Sequence, residues 1–121
     1  MKYTEIKSIL SQISDPVERL EFVMDLGKSL PPIPENSRGT EVRGCASRAE
    51  IFKDGGNNYY GAADSGIVRG VLAIMLSMVQ GKAPAEIKKM DLVREFESLD
   101  LQLGAGRMNG VAGIVECLVK E

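Results

Sequence analysis

Cys45 and Cys117 are the two thiols of a 121-residue chain that contains no histidine. The missing imidazole removes the commonest general base and the commonest zinc ligand together. Two cysteines are too few for a thiolate-held iron–sulfur cluster or a zinc ribbon within one chain, so no metal set is expected. Cys45 sits in Arg43-Gly44-Cys45-Ala46-Ser47-Arg48, with a flexible glycine before it, a small residue after it and an arginine on either side. A thiol with an ordinary pKa of about 8.5 is little ionised at neutral pH, and nearby cations favour the thiolate. Arg43 is the expected source of that help. Without a base, the chemistry that suits Cys45 is sulfur exchange rather than hydrolysis. Attack on sulfur needs a thiolate and a good leaving thiol, not a protonated leaving amine. The alternative is that Cys45 is a small buried hydrophobe, as most free cysteines are, and the local sequence leaves both open.

Cys117 lies between Ile114, Val115 and Leu118 at helical spacing, which predicts a core position. Arg107, just ahead of the last apolar stripe, is either a solvated cation or a group aimed at a partner's carboxylate. Asp64 reads first as a helix cap, with a partner-facing role in addition. Gly104, Gly106 and Gly110 follow the run Leu99–Leu103 and imitate a strand feeding a dinucleotide-binding turn. The spacing is G-x-G-x-x-x-G, and too few residues follow for the second strand of a βαβ unit, so nucleotide binding is not expected.

The elements that must hold these groups follow from periodicity and punctuation. Ile6, Ile9, Leu10 and Ile13 predict a first helix ending near Ser14, and Asp15-Pro16 opens a second whose stripe runs through Val17, Leu20, Val23 and Met24 to Leu30. Pro31–Gly39 holds three of the five prolines and reads as a loop. Thr40–Ala62 reads as three short antiparallel strands, broken at Gly44-Cys45 and at the hairpin signal Asp54-Gly55-Gly56-Asn57-Asn58. Asp64 and Ser65 precede a helix over Ile67–Gln80 that is apolar nearly all round and therefore central, with Gly81 as its stop. Short helices are expected over Pro84–Met90 and Leu92–Leu99, and a C-terminal one from Val111 after a glycine-rich segment. The fold class is α+β, a small antiparallel sheet of about three strands packed against a helical layer, and residues 1–121 form one domain.

Composition narrows the function. With 44% hydrophobic and 26% charged residues and a net charge of −2, the chain reads as globular. Three Tyr, three Phe and no Trp leave the core to aliphatic side chains, and near-neutral charge with so few rings disfavours nucleic acid. Val71–Val79 is far short of the ~20 apolar residues that span a bilayer, and Met1–Ser14 lacks the pattern of a signal peptide. The expected setting is cytoplasmic and reducing, with no membrane and nothing that demands more than a monomer.

Four pieces occur in order that resemble the SufE family of sulfur-acceptor proteins. Leu26-Gly27-Lys28 with Leu30-Pro31-Pro32 resembles the family's LGK-x-LPP, and Val42-x-Gly44-Cys45-x-Ser47 resembles its V-x-GC-x-S cysteine loop. Asp64 with Ile67-Val68-Arg69-Gly70 resembles the start of its long helix, and Arg107-x-x-Gly110 resembles the start of its last one. The chain departs from the family pattern at Ala49-Glu50, where many members have Val-Trp, and at Gln102–Gly106, where they have a histidine-led segment.

The resemblance implies a shape related to the iron–sulfur scaffold proteins and a role as acceptor and activator for a PLP-dependent cysteine desulfurase. Cys45 would carry a persulfide, tucked into an apolar recess, and pass the sulfur to an iron–sulfur cluster assembly scaffold. The chain itself would hold no cofactor, the PLP belonging to the desulfurase. Arg43, Gly44, Ser47, Asp64 and Arg107 would support the site or the docking face, and Gly44 would serve as a hinge. The resemblance implies a carrier more than an independent enzyme. The rivals are a binding module that regulates a desulfurase without carrying sulfur, and a stand-alone thiol enzyme, which the missing histidine disfavours.

Overall fold

Asp15 accepts the backbone N–H of Val17 at 3.3 Å while Pro16 fills a first-turn position that needs no donor, and a helix begins there as capping chemistry requires. In the computed structural model, which describes residues 1–45 and 47–120, this is the second element of nine. The order is α1 (Tyr3–Gln12), α2 (Pro16–Gly27), β1 (Arg38–Glu41), β2 (Ala49–Lys53), β3 (Tyr59–Ala63), α3 (Gly66–Val79), α4 (Pro84–Ile87), α5 (Leu92–Glu97) and α6 (Ala105–Val119). The fold is α+β, as its sequence predicts, with a three-stranded antiparallel sheet in the order β1-β2-β3.

The hairpin between β2 and β3 forms where Asp54-Gly55-Gly56-Asn57-Asn58 predicts it. Gly55 and Asn57 take the positive φ such a turn needs, and Asp54 accepts the N–H groups of Gly56 (2.9 Å) and Asn58 (3.2 Å). Those bonds, Gly56 first, hold the Asp54 carboxyl below the usual carboxylate range. The turn fixes the register, with Lys53 opposite Tyr59 and Ala49 opposite Ala63. Ala49, Ile51, Tyr59 and Gly61 therefore share the buried face.

Against that face lies α3, with α2 on its other side, and its interior carries the core: Leu72, Ile74 and Met75 are wholly buried. Truncating Leu72 or Ile74 to Ala is expected to cost about 2–5 kcal/mol. Two close approaches need glycine. A β-carbon on Gly27 would stand 2.7 Å from the Gly70 nitrogen, and one on Gly70 would collide with the Val23 carbonyl, so α2 and α3 meet backbone to backbone. On the sheet side, a β-carbon on Gly61 would press on Leu72 and Leu76 at 3.2 Å. Arg19 ties the periphery together, donating to the carbonyls of Leu10, Ile13 and Leu99.

Several boundaries differ from the sequence reading. Strand β1 begins at Arg38 rather than Thr40, because Gly39 and Arg38 still pair with Phe52 and Lys53 across the ladder. Helix α2 stops at Gly27 rather than near Leu30, and α4 and α5 are shorter than Pro84–Met90 and Leu92–Leu99. Leu99–Leu103 forms no strand; Asp100 and Gln102 take positive φ there, which breaks any extended ladder. The largest difference is at α6, which starts at Ala105, so Gly106 and Gly110 are helical residues and not part of a glycine-rich segment before the helix. Among the described residues no helix is long and apolar enough to cross a membrane.

Candidate functional site

The bend that carries Cys45 lies between β1 and β2 and is closed by the Val42 N–H donating to the Ala49 carbonyl at 2.9 Å. Gly44 makes the bend possible, since its φ of 80° is one that side-chain-bearing residues rarely adopt. It also lets the bend lie on α6: a β-carbon on Gly44 would be 3.1 Å from the Asn109 carbonyl oxygen. Two glycines of α6 receive the loop. Cys45 Sγ would be 3.4 Å from a β-carbon on Gly110, and the Arg43 carbonyl fills the space above Gly113. Ala46, the small neighbour in the sequence reading, lies outside the described residues.

Cys45 is half-buried and free, and it stands on the wall of a recess of about 440 Å³. The apolar part of that wall is Val68 and Val71 of α3, Leu103, and Val111 and Ile114 of α6. Its polar members are Ser47, Ser65 and Arg107. Ser47 Oγ is 3.9 Å from Cys45 Sγ, within reach of a weak sulfur hydrogen bond. Ser65 caps α3, its hydroxyl accepting the Val68 N–H at 3.4 Å. Arg107 is anchored loosely by donation to the Leu103 carbonyl at 3.4 Å and otherwise faces solvent. Among the described lining residues Arg107 carries the one formal charge, and none is an acid. A thiol in such a place can take part in exchange at sulfur and keep the product away from water. No group of His, Cys, Asp or Glu among the described residues is placed to hold a metal ion.

The structure thus brings Cys45, Ser47 and Arg107 to one recess and seats Gly44 beside it. It does not bring Arg43 or Asp64 there. Arg43 contributes its backbone to the seat on α6 while its side chain is exposed, and its charge acts on Cys117. The cap of α3 is Ser65 and not Asp64, whose side chain is exposed and whose backbone N–H donates to the Arg48 carbonyl at 3.1 Å. The hydroxyl wins because Ser65 immediately precedes the first helical residue, Gly66.

Cys117 is the contrast. It is 3% exposed and its Sγ lies 3.6 Å from the Glu41 carbonyl. Burial pushes its thiol pKa up, against the pull of Lys120 and Lys53. The sequence reading did not find Ser65, Gly106, Gly110, Val111 or the α3 valines as recess walls. Their stripe reads equally as core, and only Arg107-x-x-Gly110, one helical turn apart, carried a signal.

The family described as "SufE: Fe-S metabolism associated domain" matches residues 4–121. An uncharacterized SufE-like protein of Rhizobium meliloti is 34% identical over 115 residues, covering 86% of this chain and 82% of that protein. The sulfur acceptor protein CsdE of Escherichia coli is 32% identical over 102 residues, covering 78% of this chain and 69% of its own. An uncharacterized SufE-like protein of Rhizobium etli is 32% identical over 120 residues, covering 90% of this chain and 81% of that one.

Proposed function

Because the chain belongs to the SufE family, we propose that it accepts sulfur from a PLP-dependent cysteine desulfurase, activates that enzyme, and carries the sulfur as a persulfide on Cys45. The single observation that carries this reading is the pairing of one accessible thiol with an apolar recess, while the second thiol is buried in the core.

In the transfer, the Cys45 thiolate attacks the outer sulfur of the donor's R–S–SH. A new S–S bond forms on Cys45, the donor S–S bond breaks, and the donor leaves as its thiolate. The incoming sulfur is polarizable and poorly hydrated, so the valine and leucine walls suit it, and they shield it from the oxidants and reducing thiols that would consume it. Return of the loop to solvent on docking, with Gly44 as hinge, presents the sulfur to an iron–sulfur cluster assembly scaffold. Arg107 at the rim and Asp64 on the neighbouring surface belong to the docking face.

Intact mass measured after incubation with a cysteine desulfurase and free cysteine tests the assignment. Wild type and Cys117→Ser should gain sulfur, and Cys45→Ser should not. Gain by the Cys45→Ser protein, or undiminished stimulation of the desulfurase by it, would overturn the carrier role.

A further inference from the structure

A single sulfane sulfur needs far less room than the Cys45 recess provides. One water occupies about 30 Å³ of the liquid, and a sulfur atom is of the same order. The recess, at about 440 Å³, is many times larger and falls in the range of small-molecule pockets, about 300–1,000 Å³. The distribution of polar groups raises a second point. A persulfide is readily anionic, and a terminal anion held among Val68, Val71, Val111 and Ile114 pays a desolvation cost unless it finds a donor. Beyond Ser47, the donors on the wall are the Ser65 hydroxyl and the Arg107 guanidinium.

We propose that the recess holds a short polysulfide on Cys45, its inner sulfurs against the aliphatic wall and its terminal anion turned toward Ser65 and Arg107. The proposal rests on Cys45 as the acceptor and enlarges its cargo from one sulfur to several. Extension needs no oxidant. The terminal sulfur of Cys45–S–SH attacks the outer sulfur of a second R–S–SH, one S–S bond forms and one breaks, and Cys45–S–S–SH and R–SH result with all sulfur and hydrogen accounted for.

Loading with sodium tetrasulfide, in the absence of any desulfurase, tests the recess separately from the proposed function. There the Cys45 thiolate attacks an internal sulfur and a shorter polysulfide dianion leaves, with charge conserved. After desalting, sulfane sulfur is counted as thiocyanate released by cold cyanide and by intact mass. The expected result is two or more sulfane sulfurs on wild type and none on Cys45→Ser.

Gly106→Leu adds volume at the recess wall where a β-carbon meets nothing within 4 Å, and Val68→Leu adds it from α3. Both should lower the count toward one while circular dichroism reports a folded chain. A count of one on wild type, or an unchanged count in both folded variants, overturns the polysulfide. A parallel arm with desulfurase and cysteine separates the two readings. Several sulfurs from tetrasulfide but none from the desulfurase would sink the proposed function and leave the recess intact, whereas one sulfur in both arms would do the reverse.

Discussion

The Arg43 carbonyl oxygen rests on Gly113 of α6, in the space where any larger residue would put its β-carbon. The loop bearing Cys45 is therefore seated through its backbone on a helix face stripped of side chains. Gly113→Ala should push that loop outward. The substitution gains up to about 1 kcal/mol of helix propensity, but overpacking at such a contact costs about 1–3 kcal/mol, and the collision decides the sign. The melting temperature should fall and alkylation of Cys45 by iodoacetamide should accelerate. Unchanged values of both would show that the loop is not held there.

Gln80, just past the end of α3, closes the free edge of β3 with its side-chain amide. Its Oε1 accepts the Tyr59 N–H at 3.0 Å and its Nε2 donates to the Tyr59 carbonyl at 2.6 Å, as a neighbouring strand would. Gln80→Ala leaves both backbone groups of a buried residue without their partners, at an expected cost of about 1–3 kcal/mol. Hydrogen exchange should show the Tyr59 amide losing protection before the rest of the sheet.

Glu95 joins α5 to α1 by accepting from Lys7 Nζ at 2.8 Å and from the Tyr3 hydroxyl at 2.6 Å. These bonds, Lys7 first, hold its carboxyl below the ordinary glutamate range. A lowered folded value means stability that is present above the unfolded pKa of about 4.3 and lost as pH falls through the folded one. Glu95→Gln should flatten that part of the acid limb in urea denaturation. An identical acid limb in the variant would contradict the assignment.

Cys117 acts on the alkaline side. Its folded pKa is raised by burial, so the unfolded chain loses this proton first. The resulting stability is present below about 8.5 and lost as pH rises through the folded value. Cys117→Ala should show a shallower alkaline decline than wild type. The Lys53 ammonium, its pKa lowered by burial, slopes the other way, and because Cys117 acts on it in turn, the difference between the two proteins reports the thiol together with its pull on Lys53. In the native state one thiol should react with a chromogenic disulfide, and two after unfolding. Two fast thiols in the native chain would place Cys117 wrongly.

Much of this was open to reading from the chain. The hairpin at Asp54–Asn58 and the central helix α3 follow from turn residues and apolar periodicity, which act locally, and Cys45 stood out by its neighbours. What sequence misplaced depends on distant partners. Gly106 and Gly110 read as breakers because glycine lowers helix propensity, yet α6 runs through both, and the contact that needs a bare helix face is at Gly113, under the Arg43 carbonyl. Arg43 adjoins the cysteine motif in sequence, but its exposed side chain is not among the recess walls, because spacing along a chain does not say where a long side chain turns. The Gln80 amide carries no local signal at all, because its partner is twenty-one residues away.

The two margins of the sheet are closed by different means. Gln80 occupies one, and the other is β1, four residues long, largely exposed, flanked by Arg38 and Glu41 and preceded by a proline-rich stretch. Short, charged borders of this kind resist recruitment of foreign strands. Such margins disfavour strand-to-strand pairing between copies of this chain.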